Sequence, residues 1–236
     1  MTEQNPFSTD HLGAEKPLRP MGLLEQFNLP PVAVDYIRKN QRAIWLVVSC
    51  IVSIVVVVSL YRSYVDYREN KAATAFSKAL GSKNDGERRK ALDALIQDYG
   101  STSTSLWASM ELVGIDLREK KSDDALNRLK SLNNGISDSD SMKPLVLYKL
   151  ALVQEQSGKV EEAIANYKAL AGYKQFEAEA RKSLGGVYEV QGKKDEAMAE
   201  YEQYLLLTEP SGQDTMLAPS NRERDMVRSR LTALKK

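Results

Sequence analysis

Apolar and polar positions follow two different patterns along this chain. From Ala43 to Tyr61 (AIWLVVSCIVSIVVVVSLY) there is no alternation: the run holds no charge, no Gly and no Pro, and its polar groups are three serines and the closing tyrosine. A helix of these 19 residues, rising 1.5 Å per residue, covers about the 30 Å of a bilayer's hydrocarbon core. A helix also satisfies its own backbone hydrogen bonds, as anything crossing lipid must. Beyond Tyr64 apolar residues recur at helical spacing, Gly and Pro stand at the joints, and no period-two stretch appears. The expectation is an all-α protein: one transmembrane helix, then an α-solenoid closed by a C-terminal capping helix.

The flanks refine this picture. Residues 1–31 contain Asn5-Pro6, Lys16-Pro17 and Arg19-Pro20 and few apolar side chains, the composition of a disordered tail. Residues 32–42 (VAVDYIRKNQR) predict a basic juxtamembrane helix running into the span at 43–61, with Arg38, Lys39 and Arg42 at headgroup level. Trp45 and Tyr61 stand where aromatic rings prefer the interface. The A-x-A triplet Ala73-Thr74-Ala75 lies behind Arg62, Asp66, Arg68, Glu69 and Lys71, too far from the apolar run for signal cleavage, so the span stays as an anchor in the lipid bilayer. Arg62, Arg68, Lys71 and Lys78 on the far side balance the near-side cations. The tighter packing of the near-side three favours a cytoplasmic N-terminus.

Within residues 64–236 the sequence repeats. Leu150, Ala151, Gln154, Gly158, Ala163 and Tyr167 precede Leu184, Gly185, Tyr188, Gly192, Ala197 and Tyr201 by 34 residues each, and four of the six pairs are identical. That period, and the order L-G-x-x-Y, then G, then A-x-x-x-Y, resembles the tetratricopeptide repeat. Small residues at 151, 163, 185 and 197 let paired helices approach. Gly158 and Gly192 supply the left-handed turn that ends each first helix, and Tyr167 and Tyr201 fill the space between hairpins. Weaker copies centre on Ala91 with Leu95 and on Ala125 with Leu129, the first helix of the second copy carrying Leu112. The polar loop from Asn133 to Ser141 accounts for the one longer interval. A last helix, Asn221 to Leu234, opens on the capping box Ser220-x-x-Glu223 and shows one apolar face, Met226, Val227, Leu231 and Leu234.

Composition removes other classes. Net charge is +1 from 33 basic and 32 acidic residues, so no field draws the chain to nucleic acid. Mean hydropathy is −0.42, that of a hydrophilic body on one anchor. The single cysteine, Cys50, lies in the span and the single histidine, His11, in the tail, which leaves no thiol or Ser–His–Asp chemistry. No phosphate-cradling glycine motif is present. Glu161-Glu162 and Asp123-Asp124 sit where second helices begin and complement their dipoles. No enzyme activity, cofactor or metal is expected. Ser49 and Ser53, four apart on the span, permit close helix contact, but single serines bonded back to their own backbone are the favoured reading.

The basic segment DYIRKNQR, the single span and the degenerate repeats together are similar to the YfgM-like family, over about residues 33–236. That resemblance implies a bacterial inner-membrane protein with a cytoplasmic N-terminus and periplasmic repeats, associated with the SecYEG translocon and a PpiD-like chaperone. Independently, stacked hairpins offer a groove lined by first helices and suited to extended or helical peptide segments. The candidates to face it are Tyr148, Lys149, Gln154, Lys182 and Glu189. A tethered scaffold or assembly factor for another envelope complex is the alternative.

Overall fold

The computed structural model describes residues 31–209 and 221–236; among them are ten helices and no strand. The tail 1–30, with His11, and the segment holding Pro210 and Ser220 lie outside the described residues. The chain divides into two compact units, residues 1–64 and 65–236.

In the first unit α1 (Pro31–Lys39) opens on a proline, whose missing N–H is no loss at a helix start. The predicted helix through 42 is interrupted at Asn40. Its side-chain amide donates to the Tyr36 carbonyl at 3.2 Å and competes with the backbone for that acceptor. The next helix, α2 (Gln41–Leu80), does not stop at Tyr61. No Gly or Pro interrupts its 40 residues, and it ends only at Gly81. Its apolar part has a mean hydropathy of 2.9 over an 18-residue window with none of that window buried, so it is long and apolar enough to cross a membrane.

In the second unit the last turns of α2 begin a series of helical hairpins. They pair with α3 (Asp85–Tyr99). Next come α4 (Ser103–Arg118) with α5 (Ser122–Gly135), α6 (Lys143–Gln156) with α7 (Val160–Leu170), and α8 (Glu177–Val190) with α9 (Lys194–Leu207). The closing helix α10 (Asn221–Leu234) packs on α9 through Val227 and Leu231, which meet Tyr201 and Tyr204.

Local chemistry sets the joints. Asn84 caps α3 by accepting from the Glu87 N–H at 2.8 Å, and Thr102 caps α4 by accepting from the Ser105 N–H at 3.2 Å. Glu69 on α2 takes the Ser103 and Thr104 N–H groups at 3.0 and 2.9 Å, tying the first hairpin to the start of the second. The turns inside the last two hairpins pass through Gly158 and Gly192 with φ of +73° and +72°. Each closes with a bond from the following lysine N–H: Lys159 to Gln154 O at 2.8 Å and Lys193 to Tyr188 O at 2.9 Å. The α4–α5 turn has the same bond, Lys121 N–H to Asp116 O at 2.8 Å, but its left-handed residue is Lys120 at φ +59°. The lysines opening α5, α7 and α9 make no side-chain cap; paired carboxylates in the first turn (Asp123-Asp124, Glu161-Glu162, Asp195-Glu196) complement the dipole instead.

Three core clusters follow the hairpins. Ala79, Leu92, Leu95, Leu112 and Ile115 join the first two hairpins. Val113, Ala125, Leu129, Val146, Leu150 and Val153 join the second and third. Ala151, Ala163, Tyr167, Leu184, Tyr188 and Ala197 join the third and fourth. In α3 Leu92 and Leu95 are buried and Ala91 packs beside them partly buried, the positions that Leu126, Leu129 and Ala125 hold 34 residues later.

Candidate functional site: the face of the first helices

On the first helices of the second to fourth hairpins one stripe of exposed or half-buried positions recurs, although Met110 and Leu117 of α4 and Tyr148 of α6 also pack against the core. On α4 it runs Ser103, Trp107, Met110, Gly114, Leu117; on α6, Leu145, Tyr148, Leu152, Glu155; on α8, Glu179, Lys182, Gly186, Glu189. Bonds between helices show that the stripes of α6 and α8 share a face. The Tyr148 hydroxyl donates to Glu179 at 3.1 Å, and Lys182 pairs with Glu179 at 2.5 Å and with Glu223 of α10. Burial pulls the Lys182 ammonium down, but the two carboxylates outweigh it and hold its pKa above the ordinary lysine value. Burial, helped by Glu179, raises the Tyr148 phenol.

The sequence candidates are placed unevenly. Tyr148, Lys149, Lys182 and Glu189 are all partly exposed. Gln154 is not on this face. It is 2 % exposed, donates to Glu162 at 2.8 Å and accepts from Asn166 at 2.6 Å, both on α7. Its repeat partner is Tyr188, likewise buried, whereas the repeat partner of Glu189 is Glu155, one residue further on. Glu155 therefore takes the place assigned to Gln154. The signal was the 34-residue register itself, because one helical step moves a side chain by 100°. The sequence reading also missed Trp107, Leu145, Leu152, Glu179 and Glu223. Trp107 belongs to a repeat whose marker residues are replaced, and Glu223 is brought in by a helix outside the 34-residue register.

Beneath the face lie the packing residues. Leu150, Ala151, Ala163, Tyr167, Leu184, Gly185, Ala197 and Tyr201 are buried. A Cβ on Gly185 would stand 2.5 Å from the Tyr201 ring, so only glycine fits there as the helices lie. The Tyr201 hydroxyl donates to Glu189 at 2.7 Å and the Tyr167 hydroxyl to Glu155 at 2.9 Å, the same bond one repeat apart. Burial, and then the facing carboxylate, raises both phenols above the usual tyrosine value. Among the described residues no group of three His, Cys, Asp or Glu could hold a metal ion.

Stacked two-helix hairpins with this face define a helical-repeat interaction scaffold. The profile of the tetratricopeptide repeat-like domain family matches residues 35–236, and the chain belongs to that family. A tetratricopeptide repeat protein from Parabacteroides merdae, solved by crystallography, shares the fold at a TM-score of 0.52 and 17 % identity. The match covers 70 % of this chain and 61 % of that one, so the likeness spans about three-fifths of that protein. No curated protein sequence matches.

Proposed function

We propose that this chain is a non-catalytic, membrane-anchored docking protein whose first-helix face receives segments of other polypeptides. The observation that carries the reading is the unburied apolar part of α2, with a mean hydropathy of 2.9, in the same unbroken helix that enters the repeats. The family match begins at residue 35, ahead of the apolar run, so the anchor belongs to the matched unit. An anchored binding face works at a raised effective concentration beside its target.

The resemblance to the YfgM-like family supports a more specific version. The anchor lies in a bacterial inner membrane, the N-terminus is cytoplasmic, and the repeats act in the periplasm beside SecYEG and with a PpiD-like chaperone on newly exported proteins. A periplasm-active reporter fused after Lys236 should be active, and activity only of a cytoplasmic reporter would reverse the topology. Photo-crosslinking from Ser53 should recover SecY or a PpiD-like chaperone; recovery of only an unrelated envelope complex would overturn the translocon assignment.

A further inference from the structure

The closing helix α10 meets the fourth hairpin with few apolar side chains. Val227 and Leu231 are buried against Tyr201 and Tyr204, and Leu234 is partly buried beside them. The rest of the contact is ionic. Glu223 pairs with Lys182 of α8, Arg230 with Glu189 of α8 at 3.5 Å, and Lys235 with Glu202 of α9 at 2.9 Å. All six side chains are partly or largely exposed, where water and salt screen an ion pair and leave it weak.

Between these pairs the helix buries an unmatched charge. Arg224 is 6 % exposed, its Nε is closed off from solvent, and among the described residues it makes no ion pair or hydrogen bond. On the α9 side of the contact the Tyr204 hydroxyl is likewise buried without a partner. Lys143, the other buried cation among the described residues, is satisfied: it holds Asp138 at 3.1 Å and the Asn133 carbonyl at 2.7 Å. A buried cation without a counter-charge opposes the packing that buries it. The ion pairs therefore hold α10 down and Arg224 works against them.

We propose that α10 is a releasable cap: it leaves the fourth hairpin in a step of its own, ahead of the unfolding of the other helices. While closed it keeps Lys182 engaged through Glu223 and covers the Tyr201–Tyr204 surface, so release opens that end of the first-helix face to a docked polypeptide. The regulatory role rests on the docking reading above, whereas the release itself does not.

Hydrogen exchange on the full chain in nanodiscs tests the release. Residues 221–234 should exchange about tenfold or more faster than α6 and α7, and faster still when salt is added. Arg224→Met keeps the side chain long, removes the unpaired charge and should slow that exchange about tenfold, whereas Lys182→Met should speed it. Neither change should alter exchange in α3 to α5. Arg224→Lys keeps a cation and should exchange as fast as the unaltered chain. Exchange of α10 in step with α6 and α7, or an unchanged or faster rate in Arg224→Met, would overturn the proposal.

Photo-crosslinking in cells separates the regulatory role from docking. A photoreactive residue replacing Leu205, which lies partly buried in the α9–α10 contact, should capture other polypeptides, and far fewer of them once Arg224→Met is added. Equal capture with and without Arg224→Met would overturn the regulatory role and leave docking standing. Absence of capture from both Leu205 and Leu152, on the face itself, would overturn docking, with release still decided by exchange.

Discussion

The second and fourth hairpins build the same turn and the same pairing from different chemistry. In the fourth, Gly192 takes the left-handed position, Gly185 leaves room for the Tyr201 ring, and Tyr188 fills the inward site at the end of the first helix. In the second, Lys120 takes the left-handed position, and Val113 and Leu129 stand where Gly185 and Tyr201 do. The inward site there is Asp116, fully buried and held by Arg89 at 2.7 Å and Arg128 at 3.3 Å. The fold thus requires a left-handed residue, a small–large complement and a satisfied inward side chain. It does not require particular residue types. A bulkier first helix is matched by a smaller second, and an apolar plug by an ion network.

This comparison can be broken most severely at Asp116. Removing both guanidiniums, Arg89→Ala with Arg128→Ala, leaves a buried carboxylate without a counter-ion and should cost about 3–5 kcal/mol by denaturant unfolding. Either single change should cost much less, since one partner remains. Equal losses for single and double variants would mean that the network is not shared.

The small–large complement comes next. Gly185→Val should overpack against Tyr201 and cost on the order of 1–3 kcal/mol, as should Ala163→Leu or Ala197→Leu. Adding Tyr201→Leu to Gly185→Val recreates the Val113–Leu129 combination and should recover part of that loss. A double-mutant cycle with no coupling would contradict the complement.

A smaller effect is expected at the turns. Lys120→Gly relieves a left-handed backbone and should stabilise by about 1 kcal/mol, whereas Gly192→Lys should destabilise by a similar amount. Tyrosine supplies the last difference. Burial and facing carboxylates raise Tyr148, Tyr167, Tyr201 and Tyr204 above the ordinary value of 10.0. The native state then holds phenolic protons that the unfolded chain releases. Their contribution is intact below pH 10 and is lost as the pH rises further. All four lie in the last two hairpins, so hydrogen exchange should show these loosening first on alkaline titration, before α3 to α5.

The same comparison explains what the sequence disclosed. The last two hairpins were legible because Gly, Ala and Tyr recur at a fixed interval, and each of those residues leaves its own steric mark. The second hairpin was legible only in outline, because Lys120, Val113 and Asp116 meet the same demands with residues that carry no repeat signature. At the candidate face, Tyr148 and Lys182 could be chosen from spacing, since both lie 34 apart on the outward stripe. Gln154 could not be told from Glu155 without knowing which side the helix buries. The exchange of partners among Lys182, Glu179 and Glu223 depends on how far α10 packs over α8, which no local pattern encodes.

The central claim is that this anchored chain works through the face of its first helices, and site-specific photo-crosslinking in cells tests it most directly. A photoreactive residue replacing Leu152, on that face, should give discrete crosslinked partners. The same residue replacing Lys168, exposed on the second helix α7, should give few or none. Equal crosslinking from both positions, or crosslinks from Lys168 alone, would contradict the account.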